Sequence, residues 1–349
     1  MYRLKKLPFN INLETKAINM KLTSAMFALG ELNGVLSSIK DIDIILKYIY
    51  IIEAVESHAI DDYHISKEEV FSRISLLNHN NEIASFTTNY IRAMNISYKN
   101  LLRNGCFDLN LITSIQNFIE PEYSNFRKIP GLKVFNKLTN EVIYIPPQKE
   151  YIIKNYIENL IAYINLEDDD IHPLIKAALI HFQYEAIHPF LKGNGRTGRI
   201  LNVLYLRKKD LLKYPVFNIS KYLNNTKSDY FNLLKRCHDD HKKIEQFVFY
   251  YLQAVEISAT NTIDEILSIQ SKIDIVKSKV KENIKKLDYV EVVNHIFKYP
   301  YTKNEIFRSS LNISRNTASK YLKELVLLNV LQEEKIGKEM IYINKYLTT

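Results

Sequence analysis

HPFLKGNGRTGRILNVLYL, residues 188–206, decides how the rest of the chain is understood. It holds three of the chain's 8 glycines, Gly193, Gly195 and Gly198, interleaved with Arg196 and Arg199. Gly193-Asn194-Gly195 makes a turn poor in side chains. Ile200, Leu201, Val203, Leu204 and Leu206 behind it mark the apolar stripe of a helix. The first turn of such a helix leaves backbone amides free at the positive end of its dipole, which together form an anion cradle. Arg196 and Arg199 add fork-shaped donors suited to phosphate oxygens, although cations at a helix N-terminus are locally unfavourable and call for a bound polyanion to offset them. His188, at the end of the preceding helix, titrates near neutrality in its ordinary state and could face the cradle as a base.

Glycine is scarce elsewhere. With 8 Gly and 9 Pro in 349 residues, long helices with few tight turns are expected and hairpin-rich folds are disfavoured, so the fold class is mainly α. The length corresponds to about two domains. Lys+Arg 47 against Asp+Glu 39 leaves a net charge of +8, too dilute to argue for nucleic acid. Cys106 and Cys237 make no disulfide framework and no metal spacing, which points to a reducing, cytoplasmic setting. MYRLKKLPFN has no apolar region behind its basic residues, and no run approaches the ~18 apolar residues of a membrane span, so secretion and membrane insertion are not expected.

Outward from the central stretch, Pro173 opens an apolar helix, LIKAALIHFQYEAI, that ends at His188-Pro189. Upstream, YIIKNYIENLIAYINL (151–166) is amphipathic. Two short extended runs, Leu132 to Phe135 and Val142 to Ile145, flank Lys137 to Glu141 with Thr139-Asn140 in the turn, and predict a lone β-hairpin. Residues 22–34 and 43–56 carry apolar residues at helical spacing. The expected divisions are a helical N-terminal region (1–115), a core (116–255), a connecting helix (256–287) read as a solvated spacer, and a C-terminal domain (288–349).

HPFLKGNGRTGR resembles the signature of the Fic (Fic/Doc) family, HPFx(D/E)GNGRxxR, at every defined position but one. The preceding apolar helix, the hairpin 130–145 and ISKYLNNTKSDYFNLL (219–234) extend the resemblance to Fic proteins with a helical N-terminal region and a C-terminal winged helix. It implies transfer of AMP from ATP, as co-substrate, to a Tyr, Thr or Ser hydroxyl of a target protein, self-modification included. His188 would be the general base. Phe190 would anchor the loop, and Gly193, Asn194 and Gly195, with Thr197 and Gly198 in the same turn, would form the cradle. Arg196 would hold the phosphates and Arg199 the γ-phosphate. Tyr222 and Tyr230 lie where relatives build an adenine pocket, or are simply core. Leu132, Lys133, Val134 and Phe135 resemble the flap that holds the target by main-chain pairing.

The one mismatch is Lys192. The family has there an acidic residue that holds Mg²⁺, whereas a lysine has no acceptor, so no metal ligand is assigned and magnesium is doubtful. Lys192 would instead meet a phosphate as a point charge, or point at water. ESHAIDD (56–62) resembles the family's inhibitory helix, with Ser57 in place and Asp61 where Glu is expected, which suggests an Asp61–Arg199 contact with a short reach.

Residues 288–349 read as three helices and a two-stranded wing, with Ser314 capping the third helix. Nine basic residues against seven acidic ones leave Arg315, Asn316 and Lys320 as candidates for DNA contact, with a protein-interaction or homodimerisation role equally open. Two functions of different class stand: a protein adenylyltransferase, or a DNA-binding regulator whose core senses nucleotide.

Overall fold

In the computed structural model, the described residues are 4–76, 82–135, 141–167, 169–284 and 288–348. The N-terminal helices are α1 (Lys16–Ser38), α2 (Ile42–Ile60), α3 (Lys67–Leu76), α4 (Glu82–Asn104) and α5 (Leu109–Ile119). A minimal hairpin follows, β1 (Val134–Phe135) antiparallel to β2 (Val142–Tyr144), with Val134 opposite Tyr144 and Phe135 opposite Val142. The predicted turn at Thr139-Asn140 lies outside the described residues. Next come α6 (Glu150–Asn165), α7 (Pro173–Ile187), α8 (Asn194–Lys208), α9 (Ile219–Asn225), α10 (Lys227–Asp239) and α11 (Ile244–Asn283). The C-terminal part is α12 (Tyr289–Lys298), β3 (Tyr301–Thr302), α13 (Asn304–Ser310), α14 (Arg315–Leu327), β4 (Leu331–Ile336) and β5 (Glu339–Asn344), with strand order β3-β5-β4. The class is mainly α, with two small sheets.

Caps place the helices where the sequence signals them. Thr15 accepts from the Ile18 amide, Asp108 from Leu111 and Ser314 from Thr317, so each helix opens on a satisfied donor. Pro173 occupies the first turn of α7, where its missing amide costs nothing. Every residue of α7 from Leu174 to Ile187 is buried, because α6, α8, α10 and α11 surround it. That is why this helix reads as apolar on all sides.

The spacer reading of residues 256–287 is corrected. α11 is one helix of 40 residues starting at Ile244, with no break at 255. Ile266, Ile269, Ile273, Val276 and Val280 are buried along it, in the same apolar cluster as α1, α2, α7 and α12. The apolar stripe was visible in the sequence, but six lysines on the other face looked like a free helix. What covers the stripe, chiefly α1, lies more than 200 residues away, as the Lys21–Glu256 pair at 2.8 Å shows. Truncating Ile273, 0% exposed, to Ala should therefore cost about 2–5 kcal/mol in chemical denaturation. A loss under about 0.5 kcal/mol, the size of a surface change, would return α11 to the role of spacer.

Candidate active site

α7 and α8 are joined by six residues, His188 to Gly193, and the joint is clamped. His188 caps α7 in the left-handed region (φ 48°), a conformation that costs a non-glycine residue energy and needs support. Arg127 supplies it: its Nε donates to the His188 carbonyl at 2.9 Å, and its amide donates to the Pro189 carbonyl at 3.0 Å. Phe190 is wholly buried against Phe126, ring centroids 5.3 Å apart. Asn194 then staples the loop, accepting from the Phe190 amide and donating to its carbonyl, both at 2.9 Å. Gln116 of α5 donates to the Lys192 carbonyl at 3.0 Å and accepts from the Thr197 hydroxyl at 2.8 Å. Asn194 and Thr197 thus spend their side chains on the loop itself rather than on a ligand.

The glycines have separate reasons. Gly193 has φ +74°, and a Cβ there would lie 2.9 Å from Glu120 Cγ. A Cβ on Gly198 would lie 2.8 Å from the Tyr184 ring, so α7 and α8 touch there.

A cavity of about 460 Å³ opens beside this joint. Leu132 to Phe135 form one wall, His188, Gly195 and Arg199 another, and Lys227, Tyr230 and Glu185 complete it. Burial first, then the Arg127 charge, lowers the His188 pKa to about 4, so the ring is neutral at pH 7 and carries a lone pair. Glu185 was not singled out in the sequence, where it is one acid in an apolar helix. It is 6% exposed, and its Oε1 has no hydrogen-bond partner among the described residues. Burial raises its pKa to about 7, against the pull of Arg199.

The last turn of α2 reaches the first turn of α8. Arg199 Nε donates to Ser57 Oγ and its Nη2 to the Ser57 carbonyl, each at 2.8 Å. Arg196 Nε donates to Asp61 Oδ2 at 3.1 Å and its Nη2 to Glu120 Oε1 at 2.7 Å. The expected Asp61–Arg199 contact is therefore corrected: the short aspartate engages the nearer arginine, and the serine takes the farther one. Asp61 still acts on Arg199 at longer range, helping to raise its pKa although burial opposes the charge. His58 completes the set. Its Nδ1 lies 2.7 Å from the Ala54 carbonyl, which fixes the proton there and leaves Nε2 to accept from Arg196 Nη1 at 3.4 Å. Glu120 and His58 escaped the sequence reading because nothing local marks residues 76 and 138 positions from Arg196 as its partners.

For Lys192 and the two tyrosines the sequence leaves two placements open. Lys192 is exposed, with its ammonium 4.7 Å from the centre of the Tyr123 ring, and is not part of the cavity wall. Tyr222 lies against Tyr250, centroids 5.6 Å apart, and also misses the wall, whereas Tyr230 reaches it while its hydroxyl lies 2.9 Å from His181 Nε2. Arg315, Asn316 and Lys320 stand exposed on α14, opposite buried Ala318, Leu322 and Leu325.

Comparison with known proteins places this geometry. The Fic/DOC family profile matches residues 106–206, the Fic/DOC N-terminal profile matches 19–99, and the profile for the C-terminal domain of SoFic-like protein adenylyltransferases matches 273–347. The chain belongs to the Fic/DOC family. It is 27% identical over 179 residues to a probable protein adenylyltransferase, aq_aa38, of Aquifex aeolicus, covering 46% of this chain and 54% of the relative. It is 35% identical over 91 residues to the protein adenylyltransferase Fic of Drosophila grimshawi, covering 26% and 17%. The chain thus spans about half or less of the length of these relatives. A crystal structure of a Fic family protein from Desulfovibrio desulfuricans G20 superposes with a TM-score of 0.61 at 16% identity, over 98% of this chain and 99% of that one. Fic-1 (residues 134–508) of C. elegans gives 0.56 at 14% identity, over 73% and 74%. No described helix is long and apolar enough to cross a membrane.

The buried Glu185 yields a stability prediction. Its folded pKa of about 7 lies above the ordinary 4.5, so its contribution is fully present below pH 4.5 and is lost as pH rises through about 7. Glu185→Gln should gain stability relative to the parent across that window, by up to about 3 kcal/mol, as read by denaturant midpoints at pH 4.5 and pH 8. A constant difference between the two pH values would contradict the shifted carboxyl.

Proposed function

We propose that this chain is a protein adenylyltransferase that moves AMP from ATP to a hydroxyl of a target protein. The observation that carries the reading is the meeting, in one cavity, of the His188 ring, the first turn of α8 and the flap residues Leu132 to Phe135. The neutral ring accepts the hydroxyl proton, the freed oxygen attacks the α-phosphorus, and the bond to pyrophosphate breaks as the electron pair leaves with it. Arg199, and Arg196 once its carboxylates release it, offer forks to the phosphates, and the amides of α8 face the charge that develops. The exposed Phe135 and the short strand β1 leave an edge on which a target segment can pair.

The residues do not fit the family's magnesium position. Lys192 stands there without an acceptor and points away from the cavity, so the steps above run through the chain's own groups. The contacts of Ser57, His58 and Asp61 occupy both arginines and support a resting state that must open for triphosphate. A DNA contact remains the second reading, favoured by the exposed Arg315, Asn316 and Lys320 on the third helix of the C-terminal domain.

Label transfer from α-labelled ATP tests the assignment. His188→Ala should lower it by about 10²–10⁴ with an unchanged melting curve. Equal labelling in parent and variant would remove His188 as base. Asp61→Ala should raise transfer, modestly because Glu120 still holds Arg196 and Ser57 still holds Arg199. Equal rates would show that α2 does not restrain the site.

A further inference from the structure

Tyr144, on β2, is 4% exposed and lines the cavity beside His188. Its hydroxyl lies 2.5 Å from the Glu185 carbonyl oxygen and 3.4 Å from His188 Nδ1. A phenol has one proton to give, and a backbone carbonyl can only accept. The short contact therefore takes the Tyr144 proton, and toward His188 the phenolic oxygen is left with lone pairs alone. Nδ1 then faces an acceptor.

We propose that Tyr144 is a positioning residue that holds His188 as the Nδ1–H tautomer, with the lone pair on Nε2. The inference rests on the reading of His188 as the base, and goes beyond it by fixing which nitrogen takes the proton. In the other tautomer, Nδ1 would turn a lone pair toward the phenolic oxygen, which also offers only lone pairs there. The ring would then be repelled from the wall that holds it.

The rest of the surroundings fits an orienting role. The Tyr144 ring stacks on His238, centroids 4.8 Å apart at 23°, and meets the His188 ring edge-on at 6.4 Å and 78°. Arg127 fixes the backbone of His188 from the other side through its carbonyl. Backbone and ring are thereby held by two different elements, the segment before the hairpin and the hairpin itself. Because Tyr144 lies on the flap's partner strand, opposite Val134, a target segment seated on the flap bears on the same strand that orients the base.

The test is long-range proton–nitrogen correlation of ¹⁵N-histidine in the full-length protein, with the His188 signals assigned by their loss in His188→Gln. The expected result for the parent is a pyrrole-type Nδ1 and a pyridine-type Nε2. Tyr144→Phe keeps the ring stacked on His238 and removes only the hydroxyl. It should give a mixture of tautomers and lower kcat for label transfer about 10- to 100-fold, the size that loss of a histidine's orienting partner carries, with KM for ATP unchanged. A parent protonated on Nε2, or a Tyr144→Phe protein that keeps both the single tautomer and the parent kcat, overturns the proposal. If the tautomer shifts in Tyr144→Phe while the parent transfers no label, Tyr144 keeps its positioning role and only the reading of His188 as a transferase base falls.

Discussion

The docking of the last turn of α2 onto the first turn of α8 is the contact on which the site depends. Arg196 is 3% exposed and Arg199 1%, and a guanidinium that far from water is tolerable only when its donors are used. Ser57, His58 and Asp61 from α2 and Glu120 from the end of α5 use them. Removing one partner of such a buried pair typically costs about 3–5 kcal/mol, so the arginines specify where α2 sits as firmly as any apolar contact does. The same arginines are the groups a polyphosphate would need. On the proposed function, a polyphosphate would compete with α2 for these donors.

That constraint gives the N-terminal helices a purpose beyond covering the core. α2 is anchored along its length as well as at its end. Glu53 is 1% exposed and accepts from the Ser220 hydroxyl at 2.6 Å, the Ser220 amide at 3.0 Å and the Tyr90 hydroxyl at 3.1 Å, so α2, α4 and α9 meet on one buried carboxyl. Burial nevertheless raises that carboxyl to about 7. At its other end α2 meets the C-terminal part of the chain, where Asp41, just before it, pairs with Lys277 of α11 at 2.5 Å and Lys47 donates to the Lys298 carbonyl at 2.5 Å. One helix of 19 residues thus touches α8 at one end and α11 and α12 at the other.

The α7–α8 joint shows how a strained conformation is maintained. His188 sits at positive φ because Arg127, the Tyr184 carbonyl and the buried Phe190 over-determine the loop, with Asn194 closing it from within. Asn194 spends both its polar atoms on this closure. On the proposed function, the cradle would fall to the α8 amides, and the chemistry to His188, Arg199 and the cavity wall.

The sequence by itself determined the helical class, the limits of α7, the start of α8, the hairpin strands and the capped third helix near the C-terminus, because caps, prolines and apolar periodicity act over a few residues. It also singled out His188, Gly195 and Arg199, whose spacing within one turn-and-helix stretch fixes their relative position whatever surrounds them. Partnerships between distant segments were decided only by the tertiary structure. Asp61 went to Arg196 instead of Arg199, Lys192 turned out over Tyr123, Tyr222 stayed off the cavity, and α11 became core rather than spacer. In each case the outcome rests on which side chain is within a few ångströms after α1, α2 and α5 have packed. Hydrogen-bond reach falls off within one methylene length, and no local pattern encodes which of two neighbouring arginines a carboxylate 135 residues away will meet. Glu185 and Tyr144 were invisible for the same reason: an acid in an apolar helix and a tyrosine in a short strand acquire meaning only when the fold turns both toward His188.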